Sequence, residues 1–324
     1  MFFSKTPLRI SFIGGGSDLE TFYSKKKGMV LSTSIDKYVY LTMHELFQKD
    51  QNLLKYSKIE KVSSISKIEH PIIREVFNSY NISNIDFNSS ADIPGGTGLG
   101  SSSAFTAGLI NLCLAFKNQK KSNYLVAEEA CQIEINRLNE PIGKQDQYAC
   151  AIGGFNQLTF CPNGKVLVDP INISTKIYNN LNNSLFLYYT GLQRSASKIL
   201  KIQKQETKKK EKFKVLDEMV KFVPIAKQLL EDGDLDGFGK LLDKGWKLKK
   251  QITSNISNDF IDNMYNMGIK HGAIGGKLLG AGGGGFLLFY TPNKNKVRFQ
   301  NEMNKKYREI PFKFEKKGSL IKKL

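Results

Sequence analysis

The stretch that most constrains this chain is residues 91–105, Ala-Asp-Ile-Pro-Gly-Gly-Thr-Gly-Leu-Gly-Ser-Ser-Ser-Ala-Phe. An alternating segment, Ile85 to Ile93, leads into it and an apolar run, Ala104 to Phe116, leads out. That order predicts a strand, a turn through Pro94, Gly95, Gly96, Gly98, Leu99 and Gly100, and a helix begun by Ser101, Ser102 and Ser103. Glycines free the backbone for left-handed conformations and for close approach to a ligand. A loop of this kind at a helix N-terminus aims backbone N–H groups and the positive end of the helix dipole at one place, which suits phosphate. The hydroxyls add oxygen ligands of the kind magnesium prefers.

Two better-known glycine loops do not fit. A P-loop ends in Lys followed by Ser or Thr, whereas Gly100 runs directly into Ser101. The dinucleotide fingerprint needs a glycine spacing that Gly96, Gly98 and Gly100 lack. A mobile glycine-serine connector is the bland alternative.

At 324 residues the chain suits two packed lobes, and 40% hydrophobic residues make it globular. No signal peptide is visible from Met1 to Phe12, and the longest apolar run, Leu278 to Tyr290, is too short and glycine-rich to span a bilayer. A soluble, cytoplasmic protein with no membrane association is expected. Cys113, Cys131, Cys150 and Cys161 form no C-x-x-C pair, which fits a reducing compartment. With only His44, His70 and His271, widely separated, neither a histidine metal cluster nor a Ser-His-Asp hydrolase is favoured. The net charge of +18 is mostly lysine, concentrated in Lys198 to Lys214, where the single aromatic, Phe213, does not make the interleaved platform that stacking would require. That run reads as a solvated helix face, so no nucleic acid is expected as a partner.

Two further glycine-rich segments stand near the chain ends. The strand Pro7 to Ile13 carries Arg9 among apolar residues and runs into Gly14-Gly15-Gly16-Ser17-Asp18. Near the other end, Lys277 leads through Gly280, Gly282 and Gly283 to the strand Phe286 to Tyr290, which implies a backbone packed closely against something. Between them a helix from Ser122 to Leu138 holds Glu134 among Cys131, Ile133 and Ile135, where a carboxylate wants a partner or a cation. Lys144 and Asp146 follow on a short helix between glycines, and Arg194 stands at the top of the lysine-rich helix.

These three segments, in this order, resemble the signature motifs of the superfamily of galactokinase, homoserine kinase, mevalonate kinase and phosphomevalonate kinase, the GHMP kinases. Pro7-Leu8-Arg9-Ile10-Ser11-Phe12 with Gly14 to Asp18, Leu278 to Phe286, and Tyr189-Thr190-Gly191 are similar to the D-glycero-D-manno-heptose 7-phosphate kinases within it. The resemblance implies an α+β fold, with a ribosomal-protein-S5-like N-terminal lobe (residues 1–175), a ferredoxin-like C-terminal lobe (residues 176–324), and ATP between them. It implies that Pro94 to Ser103 wrap the ATP phosphates and that Ser102 and Glu134 hold Mg2+. Asp146 matches the aspartate that meets the acceptor hydroxyl, Arg9 the basic residue beside it, and Asp18 a contact to sugar hydroxyls. A carboxylate is a weak base at neutral pH, so Asp146 is expected to orient the hydroxyl and stabilise charge.

The activity implied is transfer from ATP to the anomeric hydroxyl of the heptose 7-phosphate, supplying nucleotide-activated heptose for surface polysaccharide. Gly15, Gly16 and Ser17 replace bulkier galactokinase residues, so galactose specificity is not expected. Arg194, Lys198, Lys144 and Lys277 are the cations available for the 7-phosphate, and the expected assembly is a monomer or homodimer. A fucose- or galactose-type sugar-1-kinase, and a non-catalytic regulatory or nucleic-acid-binding chain on the same fold, are the alternatives.

Overall fold

The computed structural model describes residues 1–193 and 196–324, and the predicted acceptor contact Arg194 lies outside the described residues. The chain begins with β1 (Phe2–Ile13), the short helix α1 (Glu20–Tyr23) and the long strand β2 (Gly28–Glu45), followed by β3 (Asn52–Lys55) and β4 (Ile59–Val62). Helix α2 (Pro71–Tyr80) and β5 (Ile85–Ala91) lead to the glycine loop and to α3 (Ser101–Phe116). Helices α4 (Asn123–Cys131) and α5 (Gln145–Ile152) precede the hairpin β6 (Phe155–Phe160) and β7 (Val166–Pro170).

Beyond α6 (Thr175–Ser184), β8 (Leu185–Tyr189) starts a second sheet. Helices α7 (Ala196–Glu206), α8 (Lys210–Asp232), α9 (Leu235–Lys250) and α10 (Asp259–Lys270) separate it from β9 (Gly275–Leu278) and β10 (Phe286–Tyr290). The chain closes with α11 (Lys296–Asn304), β11 (Arg308–Glu309), β12 (Phe314–Glu315) and β13 (Leu320–Lys323).

The larger sheet runs β13-β1-β2-β5-β3-β4, with β6, β7 and β12 joined through β2. The smaller runs β11-β8-β10-β9. Two sheets with helices segregated against them make the α+β architecture expected from the sequence. Helix α3 is apolar nearly all round, and accordingly it is the buried helix packed on the larger sheet. A second apolar cluster gathers Trp246, Tyr265, Phe289 and Phe299 around the smaller sheet.

Residue 175 does not divide the sheets cleanly. The last strands return to the first sheet, β13 against β1 and β12 against β2. The expected lobe of residues 1–175 therefore lacks two strands of its own sheet. β1 also starts earlier than the predicted Pro7, because Phe2 to Lys5 gain a second ladder from β13. The β1–β2 register shifts at Pro7/Leu8, where proline has no N–H to give the ladder, and this irregularity immediately precedes Arg9.

Candidate active site

The site begins at the end of α3. Its N-cap is Gly100 in the left-handed region (φ 77°), with no side-chain cap, whereas α4, α6, α9 and α10 are capped by Ser122, Ser174, Asp234 and Asn258. The first intrahelical bond there is from Ala104 N–H to the Gly100 carbonyl, at 2.9 Å. The amides of Ser101, Ser102 and Ser103 precede it, so this helix end, which opens on the cleft, keeps its donors for a ligand.

The loop is held from both sides. β1 takes it up through Arg9 N–H donating to the Leu99 carbonyl at 3.0 Å, while the Leu99 side chain goes into the core. The Leu278–Phe286 loop backs it so closely that a Cβ on Gly98 would lie 2.5 Å from the Leu279 carbonyl oxygen. A Cβ on Gly280 would lie 2.5 Å from Gly98 Cα. The second and third glycine segments are thus one structure, backbone on backbone.

Glu134 faces this helix end from a π-helical turn, Gln132–Arg137, where the sequence suggests plain α-helix to Leu138. The wider turn is closed by Leu138 N–H donating to the Ile133 carbonyl at 3.0 Å. Glu134 Oε1 accepts from Ser102 Oγ at 2.6 Å, and Oε2 accepts from Ser103 Oγ at 2.9 Å and Gln147 Nε2 at 2.7 Å. Burial raises the Glu134 pKa against these hydrogen bonds. A buried carboxylate held only by neutral donors has its charge uncompensated, and the oxygen-only donor set fits a hard divalent cation. No group of three or more acidic, His or Cys side chains occurs among the described residues, so such an ion would complete its shell from phosphate and water, as magnesium usually does.

Arg9 and Asp146 form the other half. Arg9 is 2% exposed; its Nε and Nη2 donate to Asp146 Oδ1 at 2.8 Å and Oδ2 at 2.7 Å, and its Nη1 to the Gly98 carbonyl at 2.7 Å. Burial opposes the guanidinium charge, but Asp146 outweighs it and holds the Arg9 pKa above its usual value. The pair fixes Asp146 in a planar clamp and ties it to the glycine loop through one side chain. Asp18 Oδ1 accepts from Gly16 N–H at 2.9 Å and Oδ2 from Gln145 N–H at 3.2 Å. Burial, and then the neighbouring Asp146, push the Asp18 pKa up.

Arg9, Asp18, Gly98, Gly100, Ser101 to Ser103 and Asp146 line one cleft of about 260 Å³, together with Gly15, Gly16, Lys277, Gly280 and Ala281, while Glu134 is buried behind Ser102 and Ser103. Other predicted contacts lie elsewhere. Lys144 turns away to the Gly164 carbonyl at 2.7 Å and the Tyr23 ring. Lys198 is exposed on a lysine-rich groove beside the cleft. Ser17 Oγ is a buried latch donating to the Met29 carbonyl at 2.9 Å, and Gly283 N–H is spent on the Ile256 carbonyl. Gly282 packs on Ile256, while Pro94 and Gly95 sit on the exposed side of the loop.

Sequence reasoning passed over Lys249, Gln203, Gln147, Ser11 and Gln145. Ser11 Oγ donates to Gln145 Oε1 at 2.9 Å across the cleft wall. For Lys249 a signal existed, since a helical wheel of α9 places it with Phe238, Leu242 and Trp246 on the buried face.

A donor-rich helix end and a clamped aspartate in one cleft, with a buried carboxylate behind that helix end, suit a phosphotransferase. Comparison with known sequences agrees: the model of the GHMP kinases N terminal domain matches residues 64–154, and that of the GHMP kinases C terminal matches residues 226–309. The chain belongs to the GHMP kinase family and is an ATP-dependent phosphotransferase.

It is 29% identical to the D-glycero-alpha-D-manno-heptose 7-phosphate kinase of Campylobacter jejuni, over 97% of both chains. It is 24% identical to a galactokinase of Pyrococcus furiosus, covering 87% of this chain and 86% of that one. The crystal structure of a D-glycero-D-manno-heptose 1-phosphate kinase from Bacteroides thetaiotaomicron superposes with a TM-score of 0.84 at 24% identity, over 100% of this chain and 99% of that one, which shows a shared fold. Among the described residues no helix is long and apolar enough to cross a membrane.

Proposed function

We propose that this kinase transfers the γ-phosphoryl group of ATP, with Mg2+, to the anomeric C1 hydroxyl of D-glycero-D-manno-heptose 7-phosphate, giving the 1,7-bisphosphate. The observation that carries the reading is the Arg9–Asp146 clamp, bonded on one side to the phosphate loop and open to the cleft on the other. Phosphoryl transfer depends on alignment and charge neutralisation, and a clamped carboxylate orients an acceptor hydroxyl toward phosphate held on the α3 amides. Ser102 and Glu134 are placed to hold the magnesium ion, which when bound neutralises phosphate charge. Asp18, in the turn with Gly15 and Gly16, is placed to accept from sugar hydroxyls. The heptose-7-phosphate kinase of C. jejuni supports the choice of sugar. The product would enter nucleotide-activated heptose for surface polysaccharide, made in the cytoplasm.

The test is coupled ADP release with a panel of sugars and sugar phosphates, with the product's phosphorylated carbon read by NMR. Turnover of the heptose 7-phosphate with a new phosphate on C1 is expected. Preference for free fucose or galactose, or for free heptose or heptose 1-phosphate with the new phosphate on C7, would refute the assignment.

A further inference from the structure

Lys249 is the cleft residue whose surroundings least match its charge. It is 7% exposed, yet it lines the cleft. Its ammonium donates to the Gly15 carbonyl at 3.1 Å and to Gln203 Oε1 at 3.2 Å, both neutral, and no carboxylate pairs with it among the described residues. Burial pulls its pKa down to about 8, against the pull of Asp18. Lys277 is in the same condition. Its ammonium donates to the carbonyls of Ser11 at 2.7 Å and Phe12 at 2.9 Å, and burial, then the charges of Lys249 and Arg9, push its pKa down. Two neighbouring ammonium groups, one on a buried and one on a half-buried side chain, both with only neutral acceptors, repel each other, and an anion would relieve both.

Gln203 supplies an independent observation. An ammonium group has no lone pair, so the amide oxygen of Gln203 must face Lys249, which leaves Nε2 as a donor. That nitrogen is buried with no partner among the described residues. It abuts the Gly15–Gly16 turn, where a Cβ on Gly16 would stand 2.3 Å from it and 3.4 Å from Lys249 Nζ. A buried donor without an acceptor calls for an explanation, and a bound oxyanion provides one.

We propose that Lys249 Nζ and Gln203 Nε2, with Lys277 beside them and the Gly15–Gly16 turn beneath, bind the phosphate group that the acceptor already carries. The inference rests on the acceptor being a sugar phosphate. It makes the two residues determinants of specificity: a phosphorylated sugar satisfies both donors, and a neutral sugar leaves them buried and unpaired. Gln203 is fully buried behind this turn, and glycine at position 16 leaves the space its amide occupies, since any side chain there would collide with it.

The experiment compares the full-length wild type with K249M, K249R and Q203E, measuring KM for the heptose 7-phosphate and for ATP, and the melting temperature. K249M is expected to raise the acceptor KM about 30-fold, the equivalent of one charge-assisted hydrogen bond, with the ATP KM unchanged and K249R partly restoring it. Q203E keeps the shape but neutralises Lys249, so it should raise the acceptor KM about tenfold while the melting temperature holds or rises. A merely structural role would instead lower the melting temperature and leave KM alone. An acceptor KM that stays near the wild-type value in K249M, or an ATP KM that moves with it, overturns the subsite. Should the wild type turn over no sugar phosphate, the proposed substrate falls, and calorimetry with inorganic phosphate decides the subsite separately. Binding to wild type that is lost in K249M supports it, and no binding to wild type overturns it.

Discussion

Replacing Asp146 with asparagine tests the clamp most directly. The side chain keeps its shape and one acceptor oxygen, so one of the two bonds from Arg9 survives in neutral form and the contact from Arg9 Nη1 to Gly98 is untouched. Losing one charge-assisted bond beside a guanidinium that is 2% exposed should cost about 2 kcal/mol of stability. Asp146 itself is 26% exposed, so solvent holds the loss below the ~3–5 kcal/mol of a fully buried broken pair. Turnover should suffer more. A positioned acid–base or orienting group is worth about 10²- to 10⁴-fold, or roughly 3 to 5 kcal/mol of barrier. The ATP KM should stay near its wild-type value, because the Ser102–Glu134 pair makes no hydrogen bond to Asp146, and removing the Asp146 charge only eases the ionisation of Glu134. Coupled ADP release at saturating acceptor, with urea unfolding of the same preparations, measures both quantities. A kcat within fivefold of wild type, or a rise in ATP KM matching the fall in kcat, would refute the assignment of Asp146 to the acceptor side.

Three further outcomes follow from the same geometry. Glu134→Gln removes the charge while keeping the contacts with Ser102 and Ser103, so the Mg2+ concentration for half-maximal rate should rise about tenfold or more, and an unchanged titration would take Glu134 out of the metal site. Gly98→Ala meets the Leu279 carbonyl at 2.5 Å in a backbone with φ +83°, which should destabilise by about 2 to 4 kcal/mol in urea unfolding; wild-type stability would mean the two loops separate freely. Lys249, with its pKa pulled down to about 8 between Asp18 and Lys277, loses its charge as pH rises through 8, so acceptor KM should climb from pH 8 to 9.5 in wild type and stay flat in K249R. The stability sign is opposite: the cost of burying this ammonium is fully present below pH 8 and fades above it, so the ligand-free wild type should gain stability over that range relative to K249M.

What local pattern encodes could be read directly. The strand before the glycine loop, α3 after it and the helix start at Ser122 all follow from alternation and capping residues between near neighbours. Arg9 and Glu134 were visible as charges in apolar settings, and the order of the three glycine segments identified the family. Contacts between residues far apart in sequence were not visible. Nothing local marks Gly98 as the seat of Gly280, Gln147 as a support of Glu134, or Lys144 as turned toward Gly164 and away from the cleft. The π-helical turn at Glu134 is equally silent, because one extra residue per turn leaves no compositional mark.

The opening strand–glycine–serine–helix segment thus determined by itself that an uncapped helix N-terminus would follow the glycine loop, since propensity and backbone freedom are properties of a few adjacent residues. Which residues would surround that helix end was decided by the tertiary structure. Burial, ion pairing and the repulsion between Lys249 and Lys277 depend on distances that exist only once the two sheets have closed on one another.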